Sequence, residues 1–458
     1  MSRADTVTSA SQALGPAETH ARRGVLGLIL LLMSVAALDR LNLSIAGATI
    51  QDQFHLTTQT MGFVFGAFFL GYAIFQVPWG YAADRYGPRI VLAVAIIWWS
   101  LFTLVLGFAP HFVRPWFSIA WSFAVIRFLV GIGEAAAPPG VNKIVSNWMS
   151  EAHRATGSSY MSVGAGLGGI LTPLFMAWTI RKWGWQTSFY ICGITGFIVA
   201  FAWWRYVRNR PEEHPSISKT ELNRMYASGV PERRTLTAGK RPNVPPWKTM
   251  FSSLSVWGLL LSFSFQNYSF YVYYDWFHMY LVRSRGLSGT RGGLWTSTPF
   301  IAMTLLALLG GLLSDRAVQR FGKRRGRHAM VCLGGICSAT LLLIGTHIHT
   351  DLIAIPMLAA AAGFNFFPTP TWYATCIDLM PSYTGSLSAL MNSVAHIAAF
   401  FSPIVTAHIL TRFGWNQALN VAAVITVVPS FIWFFINAGQ NLEEKSQSTL
   451  TGRTAPVS

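Results

Sequence analysis

The chain has 458 residues, of which 52% are hydrophobic and only 11% charged, where an ordinary soluble domain carries about a quarter. That balance excludes a disordered chain and leaves little room for a soluble enzyme. The 34 Lys and Arg against 17 Asp and Glu give a formal charge of +17, but the basic residues separate apolar runs about 20 residues long, which fits a polytopic membrane protein with basic loops and not a nucleic-acid binder.

A polar tail over 1–22 comes first; it lacks a small-residue cleavage site, so no removable signal peptide is expected. Twelve stretches then reach the roughly 20 mostly apolar residues that a membrane helix needs. Six lie at 24–48, 59–82, 89–109, 117–140, 157–180 and 186–204, forming a first half over 23–204. A polar, Pro-rich segment over 205–253 reads as a linker. Six more, at 254–281, 293–314, 328–347, 352–378, 383–411 and 416–437, form a second half over 254–439, and a polar tail closes the chain over 440–458. The expected fold is therefore an all-α membrane protein of twelve transmembrane helices in two six-helix halves. Cys192, Cys332, Cys337 and Cys376 all fall in apolar stretches and read as buried thiols, not as a disulfide or zinc framework.

The linker holds ten Lys or Arg against four Glu up to Met250, and Arg316, Arg320, Lys323, Arg324, Arg325 and Arg327 follow the eighth span. Both segments follow an even-numbered helix and share one side. The excess of positive charge places that side, with both termini, in the cytoplasm; Arg283, Arg285 and Arg291 on the other side run against the rule.

The halves are repeats. Gly80-x3-Asp84-Arg85 recurs as Gly311-x3-Asp315-Arg316 at an offset of 231, and Thr172-Pro173 with Gly184-Trp185-Gln186 recurs as Ser402-Pro403 with Gly414-Trp415-Asn416 at 230. A parallel repeat of six helices is a common build for secondary transporters, with the solute site between the halves near the midplane.

Charges inside the spans point to that site, because each costs several kcal/mol unless paired or hydrated. Helix one carries Asp39 and Arg40, which point about 100° apart; helix four carries Arg127 and Glu134, seven residues and roughly 10 Å apart on one face. An organic anion calls for a fixed cation, and the planar fork of Arg matches a carboxylate. Coupling to protons calls for a carboxyl that titrates near neutrality when desolvated.

Gly80-x3-Asp84-Arg85-x-Gly87-x-Arg89 resembles the loop signature of the major facilitator superfamily, and Arg127-x3-Gly131-x-Gly133 its fourth-helix motif. Within the superfamily the chain looks most like the anion:cation symporter family, which includes bacterial sugar-acid permeases and the animal sialic-acid and vesicular glutamate carriers. Asp39-Arg40-Leu41-Asn42-Leu43-Ser44, Gly131-Ile132-Gly133-Glu134-Ala135, Asn267-Tyr268, Trp276, Asn392 and Pro403 carry that likeness. The resemblance implies that Asp39 and Glu134 bind the coupled protons and that Arg40 contacts the substrate carboxylate. Arg127 then shapes the site or pairs with Glu134. Tyr72, with Gln76 one turn on, and Asn392 are implied pocket residues; Thr369, Thr371 and Trp372 are weaker candidates. Asp84, Arg85 and Arg89, and their copies Asp315 and Arg316, are expected to gate the conformational change.

Some residues depart from the family pattern. Asp275-Trp276-Phe277-His278 stands where the family usually has Thr-Trp-Leu-Pro, adding an acid near the outer end of helix seven and a His three residues away that suits an ion pair. His396 shares a face with Asn392 and suits a pH-sensitive substrate contact. Gly164 replaces a helix-five Gln, an exchange expected to deepen the pocket, although the run Gly164, Gly166, Gly168, Gly169 itself reads as close helix packing.

The expected function is a symporter importing an organic anion, foremost a sugar acid (aldonate, hexuronate or aldarate), with protons by alternating access. An aromatic or dicarboxylic acid is the alternative, followed by an anion exchanger or a membrane sensor that moves nothing. No nucleophile–base pair, metal spacing or phosphate loop stands out, so neither enzyme activity nor a cofactor is expected. The expected partners are a small organic anion, protons and the lipid bilayer, without nucleic acid, with the chain monomeric in an inner membrane.

Overall fold

The computed structural model describes residues 20–112, 118–149, 154–227, 230 and 247–442, leaving out a few side chains inside helices, Asp84 among them. Both polar tails lie almost wholly outside the described residues.

Helix α1 (His20–Phe54) is followed by α2 (Thr58–Tyr86), whose first turn is capped by the Thr57 hydroxyl accepting from the Thr60 amide. α3 spans Pro88–Gly107. The fourth span, expected as one helix, is two: α4 (Ile119–Glu134) and α5 (Ala137–Trp148). Pro138 and Pro139 supply no amide hydrogen, and their rings clash with the carbonyls of Glu134 and Ala135, so the ladder breaks there. α6 (Arg154–Trp183) and α7 (Trp185–Tyr206) complete the first half.

Part of the expected linker is ordered against that half. A short helix α8 (Lys219–Ala227) buries Met225, and Val230 beyond it, in the same core cluster as Trp148 and Trp203. Asn147 and Trp148 hold the linker's start by donating to the carbonyls of Asn209 and Arg208, each at 3.0 Å. Residues 231–246 lie outside the described set.

After a helical turn, α9 (Trp247–Ser252), the second half begins with α10 (Leu254–Arg283). α11 (Gly289–His347) and α14 (Thr384–Ile432) are each two spans folded at a glycine, Gly322 with φ 76° and Gly414 with φ 80°. Their counterparts in the first half, Gly87 and Gly184, have φ 87° and 86°. A Cβ at these turns would be strained, which is why the repeat keeps glycine. Between them, α12 (Asp351–Phe366) and α13 (Thr369–Leu379) form a second broken span at Pro368 and Pro370. Among the described residues nine helical stretches are long and apolar enough to cross a membrane. Two of these are folded pairs, and the thirty-residue α10 joins them, so the spans number twelve.

Within the first half α1 packs on α6, α3 on α7 and α2 on α4; in the second, α10 packs on α14 and α11 on α12. Between halves α2 meets α14, α6 meets α11 and α1 meets α10. The face opposite the linker is closed across this seam. Ser297 donates to the Ile170 carbonyl at 2.7 Å, and Arg283 at the end of α10 pairs with Asp52 near the end of α1. Arg285 pairs with Asp351 at 3.4 Å. Two of the three arginines on the wrong side for the positive-inside pattern are thus met by acids.

Candidate functional site

Four charges of the first half, Asp39 and Arg40 from the middle of α1 and Arg127 and Glu134 from α4, lie close together. α1 is uninterrupted there and points Arg40 at α4, which the proline break ends at Glu134. Arg40 Nε donates to Glu134 Oε2 at 2.5 Å. The guanidinium carbon of Arg40 also lies over the rings of Tyr72 and Phe68, 5.1 and 5.5 Å from their centroids, a geometry that favours a cation. Of the four charged side chains, Arg40 alone has appreciable open surface, 18%, against 1% for Asp39, 2% for Arg127 and none for Glu134.

Arg127 does not pair with Glu134. Helical spacing puts them on one face, but Glu134 is taken by Arg40, and Arg127 lies over the Phe68 ring at 4.7 Å with its Nε buried and unpartnered. Asp39 turns away from Arg40 toward α7, beside the Cys192 thiol, and both its carboxyl oxygens are buried without a hydrogen bond. Behind it Ser188 donates to Asn42 Oδ1 at 2.7 Å, and Asn42 donates to Cys192 Sγ at 3.4 Å.

The second half answers with rings. His396 stacks on Tyr72, centroids 4.4 Å apart and planes 24° apart, so that Tyr72 lies between the Arg40 cation and an imidazole of the opposite half. Tyr271 packs on Phe69 at 4.2 Å and lies 5.9 Å from Tyr274. His396 Nδ1 bonds to the Asn392 carbonyl at 2.7 Å, and Asn392 Oδ1 accepts from Tyr373 at 3.1 Å. Gln76, half-buried one turn from Tyr72, leaves its Oε1 buried without a partner.

Other expected residues fall elsewhere. Trp372 is a core side chain of the second half, donating to Ser262 at 2.9 Å and packed on Phe263 and Trp433. Thr371 faces Ser314 at 3.3 Å, whose hydroxyl accepts from Arg327 at 2.9 Å, so it belongs to the linker-face end of the half and not to the pocket. Thr369 has its hydroxyl buried and unpartnered. Gly164 opens no pocket: it lies against the Leu30 carbonyl and accepts from Ser34 through its own carbonyl at 2.9 Å. Asp275 and His278 do not pair; His278 Nδ1 bonds to Thr296 at 2.8 Å, and Asp275 is buried with its main-chain carbonyl bonded by Ser44 of the first half.

At the linker face, Arg89 donates to the Trp204 carbonyl at 2.8 Å and lies 4.4 Å over its ring, which ties α3 to α7. Arg85 is exposed and reaches Tyr81 at 3.4 Å. The Asp84 side chain lies outside the described residues. Asp315 and Arg316 are exposed, and among the described residues the corresponding contact goes to Asp378 instead, which pairs with Lys323 at 2.8 Å and Arg327 at 3.3 Å. Phe68 and Asp378 are the residues that sequence reasoning missed. Phe68 was within reach, because it lies four residues before Tyr72 on the same face.

Residues 29–403 match the Major Facilitator Superfamily. The chloroplastic ascorbate transporter of Arabidopsis thaliana is 27% identical over 88% of this chain and 73% of its own length. The probable galactarate/D-glucarate transporter GudP of Escherichia coli K12 is 29% identical over 92% and 96%. The probable sulfoacetate transporter SauU of Cupriavidus necator is 27% identical over 91% and 94%. Among solved structures, a bacterial homologue of the human lysosomal transporter Spinster, inward-facing and unoccupied, superposes with a TM-score of 0.75 at 19% identity, covering 96% of this chain and all of that one. The inward-open xylose transporter XylE of E. coli gives 0.66 at 17%, covering 93% and 98%. At such identities the structures speak for the fold alone.

Proposed function

The chain belongs to the Major Facilitator Superfamily, and from that premise we propose that it is a secondary transporter carrying a small organic anion across the membrane together with protons, the anion being a sugar acid. The similarity to the probable galactarate/D-glucarate and sulfoacetate transporters supports the substrate class. The buried ion pair of Arg40 with Glu134 carries the mechanism.

A buried cation cannot be left bare, and breaking a buried pair by removing one partner costs about 3–5 kcal/mol. A substrate carboxylate that displaced ionised Glu134 would leave two anions competing for one cation. A proton on Glu134 removes the competition: Glu134 lets go, the substrate carboxylate takes the planar fork of Arg40, and for a substrate with one carboxylate the charge of the site stays balanced. Asp39, with no partner for either oxygen, is the second carboxyl that a proton would make neutral before the loaded site reorients. The halves then rock about the site, as repeats of this kind do. The basic linker face is assigned to the cytoplasm of an inner membrane by the positive-inside rule. All the site residues named come from one chain, so a monomer suffices.

The test is external pH in proteoliposomes on addition of D-glucarate, galactarate or L-galactonate. External alkalinisation with wild type, lost in Glu134→Gln while exchange of labelled substrate persists, is the expected result. No pH change with any of them, while exchange is seen, removes proton coupling. The rings of Tyr72, Tyr271, Tyr274 and His396 favour a second reading, an aromatic carboxylate held with its acid on Arg40 and its ring among theirs. Phthalate as the added substrate tests it.

A further inference from the structure

Asp275 takes no part in the exchange of partners at Arg40, yet it is 2% exposed with Oδ2 buried and unpartnered. It lies eight residues before the end of α10, roughly 12 Å along the helix. His278, the neighbour three residues on, is committed elsewhere. Thr296 gives its own hydroxyl hydrogen to the Gly292 carbonyl at 2.6 Å, so it accepts from His278 Nδ1 at 2.8 Å. The charge that acts on Asp275 comes from the other half: it is Arg127 on α4, which in turn feels Glu134 and Asp275. Arg127 and Asp275 form no ion pair, and each keeps an unpartnered polar atom.

The turn that holds Asp275 is pinned to the first half. Ser44 of α1 bonds through its hydroxyl to the carbonyls of Tyr274 at 2.8 Å and Asp275 at 2.7 Å. Ser44 and Asp275 occupy equivalent places in the two repeats, 231 residues apart. Asp275 therefore sits on the seam that must part if the site is to open away from the linker face. The titratable groups that interact with it are Arg127 on α4 and Tyr271 and Tyr274 on its own helix, and Asp39, Arg40 and Glu134 are grouped around Arg127. On α11 the polar neighbour is Thr296, and on α12 the acid is Asp351, held at the outer end by Arg285. Two guanidinium groups thus face three carboxyls, and with all five ionised the seam would bury a net negative charge, which a membrane interior penalises.

We propose that Asp275 is a third proton-binding carboxyl of the transport cycle, placed on the second half to hold Arg127 when ionised and to release it when protonated as the halves part. This rests on the symport reading above, but its test needs no substrate. Purified full-length protein in lipid is titrated with pH while the infrared absorption of protonated carboxyl groups is followed. Asp275→Asn should lose one component, and Asp275→Glu, which keeps the acid and the fold, should move it in frequency. Arg127→Gln should let that component persist to more alkaline pH. Spectra of Asp275→Asn that match wild type would overturn the proposal. So would a component that Asp275→Glu does not move, or one indifferent to Arg127→Gln. Failure of symport in the liposome assay would leave these spectra unchanged, so the two readings fall separately.

Discussion

At the end of α4 stands Glu134, and 231 residues later, next to the end of α12, stands Asn365. Both helices are sixteen residues long, and both stop at a proline break in the fourth span of their half. Glu134 accepts from Arg40 of its own half's first helix; Asn365 likewise accepts from Gln266 of its own half's first helix, at 3.2 Å. Phe270 and Tyr271 stand where the first half has Asp39 and Arg40, and Leu358 where it has Arg127. One architecture is thus built twice, once around ions and once around an amide pair and rings. The fold does not need the charges, so their desolvation cost must be offset by what they do.

The sharpest way to break this contrast is to neutralise its charged member. Glu134→Gln is expected to abolish uphill accumulation while exchange survives, measured as labelled-substrate uptake with and without a pH gradient. Next is Arg40→Lys, which keeps the charge and loses the fork; substrate binding measured by calorimetry should weaken by ~10- to 100-fold, on the order of 1.5–3 kcal/mol for a charge-assisted bond. The neutral counterpart gives the control. Asn365→Leu removes one acceptor of the Gln266 amide and leaves it the main-chain carbonyl of residue 365 at 3.3 Å; it should lower stability by about 0.5–1.5 kcal/mol, seen as a fall in melting temperature, with protons moved per substrate unchanged. A change in that ratio would mean that the two halves share the coupling. The smallest effect belongs to Arg283→Ala at the outer rim. Its pair with Asp52 is exposed, so uptake should shift by no more than about 1 kcal/mol, or a few-fold, and less in high salt.

The repeat was legible in the sequence because turns at Gly184 and Gly414 demand the same residue in both halves. The proline breaks were written there too, in Pro138-Pro139 and Pro368-x-Pro370, but hydropathy averages across such a break and returned one long span. Helical spacing put Arg127 and Glu134 on one face without saying that α1 would bring Arg40 to Glu134 first. Thr371 and Trp372 looked like pocket residues because polarity on a helix does not reveal which neighbour it faces; both turn into their own half. Asp378 escaped notice because its equivalent 231 residues earlier is Asn147, so the repeat offered no matching acid.

The glycines of α6 have a different consequence. Gly164 and Gly168 face α1 within their own half, where an added methyl group would meet the backbone carbonyls of Leu30 and Ser34. Gly166 and Gly169 face α11 across the seam, where it would meet the side chains of Thr304 and Phe300. Backbone cannot give way, whereas side chains can turn. One helix is therefore welded on one flank and greased on the other. A methyl group on the first flank would force α6 away from α1 and cost stability, about 1–3 kcal/mol or more, whereas the same methyl group on the second would chiefly change how long the carrier dwells in each of its states.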